Sequence, residues 1–166
     1  MKLIFSCFLG SGDAALYQSG IALAGANRAI NAWGKSELPS PHDDGIFAAA
    51  EAAQLNLHGT WLVTLSACDT GLGGVASGES LLGVKLGFLQ AGAQNVCFSL
   101  WRVSDSYAPG FMRSFYEKAL ISGNAPVALA EVQRAELTTL SSAAKPDSLW
   151  KAVKLAGPFV VTAQGR

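Results

Sequence analysis

Hydrophobic and polar positions along this chain fall into blocks that read alternately as strands and helices. Trp61 to Ser66 (W-L-V-T-L-S) and Asn95 to Val103 (N-V-C-F-S-L-W-R-V) are apolar runs bounded by polar or glycine-rich segments. Such runs suit strands buried on both faces, as in a parallel sheet. Ser19 to Arg28 (S-G-I-A-L-A-G-A-N-R) reads as a shorter strand closed by an Ala-Gly-Ala-Asn turn. Ala48 to Leu55 is a short alanine-rich helix that Asp43 or Asp44 can cap. Glu79 to Ala91 is a helix with leucines nearly all round, Lys85 as its interior charge and Gly92 at its end. Met112, Phe115, Tyr116 and Ala119 mark the buried face of a helix running to about Leu120, with Pro109 in its first turn and Ser104 to Ser106 as caps. Asn124 caps a further helix, Ala125 to about Leu140, with Leu129, Val132, Leu137 and Leu140 as core. Ala32 to Asp44 and Ser141 to Pro146 read as loops, and Leu149 to Val161 as a last strand region.

Strands alternating with helices at this rhythm predict βαβ units, an α/β fold with a mostly parallel sheet and helices on both faces. Ligands of such sheets bind beyond the carboxyl ends of the strands. The loops at those ends are Cys68 to Gly78 and Arg102 to Ser106, so chemistry is expected between them.

Composition narrows the reading. The 166 residues suffice for one compact domain. Twelve basic residues balance twelve acidic ones, so no basic field exists to recruit nucleic acid or an anionic membrane. Half the chain is apolar and 14% is charged, which excludes disorder and a coiled coil. No apolar run approaches the ~20 residues of a membrane-spanning helix. So few charges predict a face buried against something else. Cys7, Cys68 and Cys97 form no CxxC pair, and the two histidines lie far from them, so neither a structural metal nor another cofactor is expected. Unpaired cysteines suit a reducing compartment, the cytoplasm. The apolar stretch Leu3 to Leu9 is short for an export signal and reads as a strand.

Three chemistries compete for Ala67 to Ser80 (A-C-D-T-G-L-G-G-V-A-S-G-E-S). Gly73 to Ser80 has nearly the spacing of a phosphate-binding P-loop, but Glu79 occupies the lysine slot and would repel phosphate. Gly71-x-Gly73-x-x-Ala76 matches a dinucleotide fingerprint, but the helix begins several residues late and no acidic residue closes the next strand. The third chemistry is nucleophilic attack by Cys68. A thiol where a buried strand opens into a glycine-rich loop is presented on a rigid base, and backbone N–H groups freed by Gly71, Gly73 and Gly74 could lower its pKa. The residues alone leave open the alternative that Cys68 is a small buried hydrophobe, as is expected for Cys97 inside its strand.

The run Leu62 to Gly74 (L-V-T-L-S-A-C-D-T-G-L-G-G), followed by Ser77-Gly78-Glu79-Ser80, resembles the signature of CHAT domains, the caspase-like cysteine peptidase domains often found behind tetratricopeptide repeats. Ser19 to Arg28, the Asp44-Gly45 stretch, Phe88 to Val103, Phe115-Tyr116 and Trp150 to Gly157 resemble further segments of that family. The resemblance implies a caspase-like three-layer α/β/α sandwich over residues 19–161. Residues 1–18 would be a partial N-terminal segment and 162–166 a tail. It implies a Cys–His dyad for peptide-bond cleavage with Cys68 as nucleophile, and Asp105 near the pocket for the substrate side chain, although helix capping would explain Asp105 equally well.

One departure qualifies this. The family's base is a histidine in a His-Gly pair ending a strand before the A-G-A-N segment, and no histidine lies within Met1 to Gly20. His58-Gly59 imitates the pair, but it opens the strand that Cys68 follows, roughly 25–30 Å away at ~3.3 Å per residue. A dyad needs about 3 Å. His42 falls in a polar loop. The expectation is therefore an N-terminally incomplete cysteine peptidase domain that keeps its nucleophile, lacks its dyad histidine and is inactive alone. The alternative is a catalytically silent module for protein–protein interaction. Expected partners are a protein or peptide substrate, and a helical-repeat region or other chain covering the bared sheet edge.

Overall fold

The computed structural model describes residues 2–5, 16, 19–37, 44–65, 77–141 and 148–164. Their helices and strands make a mixed α/β fold: β1 (Lys2–Phe5), β2 (Ser19–Ala22), α1 (Ala26–Gly34), β3 (Ile46–Ala48), α2 (Ala49–Ala53), β4 (Val63–Leu65), α3 (Ser77–Gln90), β5 (Asn95–Ser99), α4 (Ala108–Ser122), α5 (Ala125–Ser141), α6 (Ser148–Ala156) and β6 (Phe159–Ala163). The chain divides into two compact units, Met1–Thr60 with Leu72–Ala93, and Trp61–Gly71 with Gln94–Arg166.

The first unit is built on an antiparallel sheet of order β1-β2-β3. The strand read over Ser19 to Arg28 stops at Ala22, and α1 begins four residues later. Ala26, Ala29, Ile30 and Trp33 have helical spacing, which the turn residues Gly25 and Asn27 obscure in the sequence. Asp44 does not cap the alanine-rich helix. Its Oδ1 accepts from Ile46 N at 2.8 Å and shapes the entry to β3. The amino end of α2 is held instead by Glu51, whose carboxylate accepts from Ala48 N at 2.7 Å.

Helix α3 packs closely on α2, and Gly87 makes this approach possible. A Cβ at that position would strike the backbone carbonyl of Ala49 and lie 3.2 Å from the Ala52 side chain. Val84 and Phe88 are buried alongside, and Phe47 meets Phe88 at 6.2 Å between ring centres. As expected, Gly92 stands just beyond the helix end, with its N–H donating to Leu89 O at 3.0 Å.

The second unit carries the sheet order β4-β5-β6. Strands β4 and β5 are parallel, with Val63, Thr64 and Leu65 opposite Val96, Cys97 and Phe98. Strand β6 runs antiparallel to β5, with Ser99 opposite Phe159. The parallel sheet is thus seen in part, in one of the four described pairings. The region read as one strand from Leu149 to Val161 is a helix followed by a strand, with only Gly157 and Pro158 between them. Leu100 N donates to Pro158 O at 2.9 Å, so the chain enters β6 beside the carboxyl end of β5 and can only run back along it.

All five residues of β5 are buried, whereas Val63 and Thr64 are half-buried on a strand with a described partner on one side. The core centres on Cys97, Val103, Phe111, Phe115, Ala119, Leu129, Val132 and Phe159. Phe111 stacks on Phe159 at 4.5 Å. The buried face of α4 is therefore set by Phe111, Phe115 and Ala119. Tyr116, assigned to that face by spacing, is exposed. Asn124 caps α5 as its sequence predicts, accepting from Val127 N at 3.1 Å.

Gly87→Ala should destabilise the fold by about 1–3 kcal/mol, because the intruding methyl meets backbone. A urea midpoint equal to that of the unsubstituted chain would show that α3 does not approach α2 this closely.

Candidate functional site

Leu65 lies opposite Phe98 in a parallel pair, so the chain leaves β4 and β5 at the same end of the sheet. Beyond β4, Cys68 and the glycine loop fall in residues 66–76, outside the described residues. Beyond β5 the Ser99-Leu100-Trp101 corner is described, and three contacts fix it. Leu100 N reaches Pro158 O, as noted. Trp101 Nε1 donates to Lys154 O at 3.0 Å. This satisfies one of the carbonyls that the end of a helix leaves without an internal partner. Gly157 leaves room for the indole, since a Cβ there would lie 3.4 Å from Trp101 Cζ2 and 2.5 Å from Val153 O.

Gln133 on α5 holds the same turn from behind, its Nε2 donating to Ala156 O at 3.0 Å and to Phe159 O at 2.8 Å. Neither Trp101 nor Gln133 is legible in these roles from the sequence, because each serves carbonyls more than twenty residues away. Ser99 is buried, while Leu100 and Trp101 are 46% and 36% exposed.

Asp105 sits exposed in the turn that leads into α4. It is not the helix cap. Tyr107 holds that position without any side-chain cap bond, and the carbonyl of Ser104 accepts from Tyr107 N and Ala108 N at 3.0 and 2.9 Å. The Ser104 and Ser106 hydroxyls bond each other at 2.7 Å. Capping therefore does not explain Asp105. The Tyr107 hydroxyl donates to Glu136 Oε2 at 3.0 Å and fastens the turn to α5. Burial, then that hydrogen bond and the Glu136 charge, push the Tyr107 phenol above its usual pKa.

Cys97 is the small hydrophobe its strand position predicts. It is fully buried, and desolvation pushes its thiol up from 9.0 to about 12, too high for a nucleophile at neutral pH. His58 lies exposed in the Leu57–Thr60 turn, as a loop residue should, and Gly92 packs against its ring. His42, like Cys7, lies outside the described residues. Among the described residues, no three His, Cys, Asp or Glu side chains gather as metal ligands would. A cavity of about 480 Å³ lined by Trp61, Asn95, Asn124 and Gln164 opens at the amino end of β5, the end opposite the Leu100 corner.

No helix among the described residues is long and apolar enough to cross a membrane. A family model described as CHAT domain matches residues 5–158 of the chain. No curated protein matches it.

The buried thiol has a pH signature. A group whose folded pKa is raised stabilises the fold fully below its unfolded value, here 9.0, and loses that contribution as pH rises toward about 12. Unfolding measured for the parent chain and for Cys97→Ala should give a difference that holds at neutral pH. Above that unfolded value it should shift against the parent by up to about 1.4 kcal/mol per pH unit. A difference that ignores pH would mean the thiol is solvated.

Proposed function

The chain belongs to the CHAT domain family, a caspase-like family, and on that premise we propose that it is a cysteine peptidase domain whose nucleophile is Cys68. The observation that carries this reading is the family match across residues 5–158, which spans the whole A-C-D-T-G-L-G-G run. Covalent geometry adds support. Cys68 follows Leu65 by three residues in the sequence, and three residues of chain reach at most about 11 Å. The carboxyl end of β5 stands beside the Leu65 end of β4. The segment from Leu100 to Asp105 then serves as the wall against which the substrate side chain rests, with the exposed Asp105 carboxylate suited to a basic side chain.

The chain supplies the thiol of the dyad and not its base. His58 precedes β4 while Cys68 follows it, and His42 belongs to a polar stretch with no family counterpart to the His-Gly pair. Unassisted, a thiol with a free pKa near 8.5 is only a few per cent thiolate at neutral pH. Positioned base assistance is worth roughly 10²–10⁴-fold in rate. The domain therefore needs a histidine from outside this sequence to cleave peptides, and works inside a reducing compartment where Cys68 stays a thiol.

The test combines a fluorogenic peptide library with iodoacetamide labelling read by mass spectrometry. The chain alone should show turnover at least about a hundredfold below a dyad-complete peptidase. Cys68 should be alkylated in the folded protein while Cys97 is spared until urea is added. Turnover that survives Cys68→Ala, or that disappears in His58→Ala, would overturn the assignment.

A further inference from the structure

Helix α6 exposes what a stable helix normally hides. Ala152 and Ala156 face inward at 0% exposure, while Leu149, Trp150 and Val153 stand 62%, 71% and 40% exposed. Trp150, Val153, Lys154 and Gly157 recur at i, i+3, i+4 and i+7, so they form one stripe along the helix. Trp101 extends the stripe off the helix end, through its bond to Lys154 O and its contact with Gly157, and the exposed Leu100 follows. An apolar strip thus runs from Trp150 to the carboxyl end of β5.

Cations outnumber carboxylates beside this strip, where Asp105 follows Arg102 by three residues and Asp147 precedes α6 in the sequence. Helix α6 carries Lys151 and Lys154 and no acidic residue, and Arg102 lies next to Trp101. Among the described residues none of the three enters an ion pair. The surrounding unit holds eight basic against six acidic residues, a surplus of two, although the whole chain is neutral. Another exposed apolar pair, Leu120 and Ile121, lies close in sequence to both Glu117 and Lys118 and has no such bias.

We propose that the strip from Trp150 to Leu100 is a docking site for an acidic peptide segment that carries apolar side chains. The indole of Trp150 and the Val153 side chain receive the apolar residues, and Lys151, Lys154 and Arg102 pair with the carboxylates along the rim. A membrane surface fits less well. With its alanine face packed inward, α6 offers a narrow strip, and three cations contribute only about 1 kcal/mol each on an anionic bilayer. Trp150 is the expected anchor, since buried aromatic side chains dominate such interfaces. The strip adjoins the substrate wall proposed above at Leu100, but its anchor Trp150 lies outside that wall, so the Trp150 test reads the strip apart from Cys68.

The probe is a fluorescein-labelled peptide of Asp and Glu with interspersed Leu and Phe, titrated with the full chain and followed by anisotropy. A counterpart with Lys at each acidic position serves as control. The acidic peptide should bind at least about tenfold more tightly than the basic one, and added salt should weaken it. Trp150→Ala should weaken it by about tenfold or more, and Lys151→Gln with Lys154→Gln should abolish the preference for acid. All these side chains are exposed, so circular dichroism should stay unchanged. Equal binding of both peptides, or indifference to Trp150→Ala, overturns the proposal. So does sedimentation with phosphatidylserine vesicles in place of the peptide, or self-association that Trp150→Ala disperses.

Discussion

The parallel pairing of β4 with β5, Leu65 opposite Phe98, is the constraint from which the rest of the second unit follows. Parallel strands end together, so two segments far apart in sequence must leave the sheet at one edge. Both flanks of β5 are occupied, by β4 and by β6, and all five of its residues are buried. A one-residue slip would move Cys97 to the opposite face of the sheet, removing a fully buried side chain from the core that Phe111, Phe115 and Phe159 complete. Register is therefore fixed by packing on the sheet face, and with it the position of the corner that follows Ser99.

That corner is held by backbone carbonyls rather than by a hydrophobic plug. Residues 154–159 offer four carbonyls at the end of α6 and the start of β6, and Trp101, Gln133 and Leu100 N take them up between them. Leu100 and Trp101 donate from the corner after β5, and Gln133 from α5. Removing one would leave a carbonyl wanting a partner at a cost of about 1–3 kcal/mol where it is buried. Such a clamp lets Leu100 and Trp101 remain half-exposed without the backbone beneath them loosening. It is a suitable foundation for a recognition surface.

Several features were legible in the sequence. The apolar runs Trp61 to Ser66 and Asn95 to Val103, the second of which forms strand only as far as Ser99, the glycine after α3 and the Asn124 cap all report short-range physics: burial, left-handed backbone and an orphan N–H. The resemblance carried by Leu62 to Gly74 and Ser77 to Ser80 pointed to the family from the sequence alone. What misled was period. Leu149, Ala152, Val153 and Ala156 have helical spacing, but the β-branched residues of Phe159 to Val161 beyond them gave the whole segment the look of a strand. Helix α1 was hidden in the same way behind turn residues that it uses at its start. The antiparallel β6 could not be foreseen, because it depends on a hydrogen bond between Leu100 and Pro158, residues distant in the chain.

The functional reading joins these parts: a family whose members are caspase-like, a thiol three residues beyond β4, and a clamped corner beyond β5. Its central claim is that Cys68 stands at the carboxyl end of the sheet, beside Leu100. In a chain with Cys7→Ser and Cys97→Ala, spin labels on Cys68 and on Leu100→Cys give one distance by double electron–electron resonance. Labels on Cys68 and on Gln94→Cys, before the amino end of β5, give a second. The account predicts that the first is the shorter, by up to roughly the 17 Å that five strand residues span. A Cys68 label nearer to position 94 than to position 100 would contradict it.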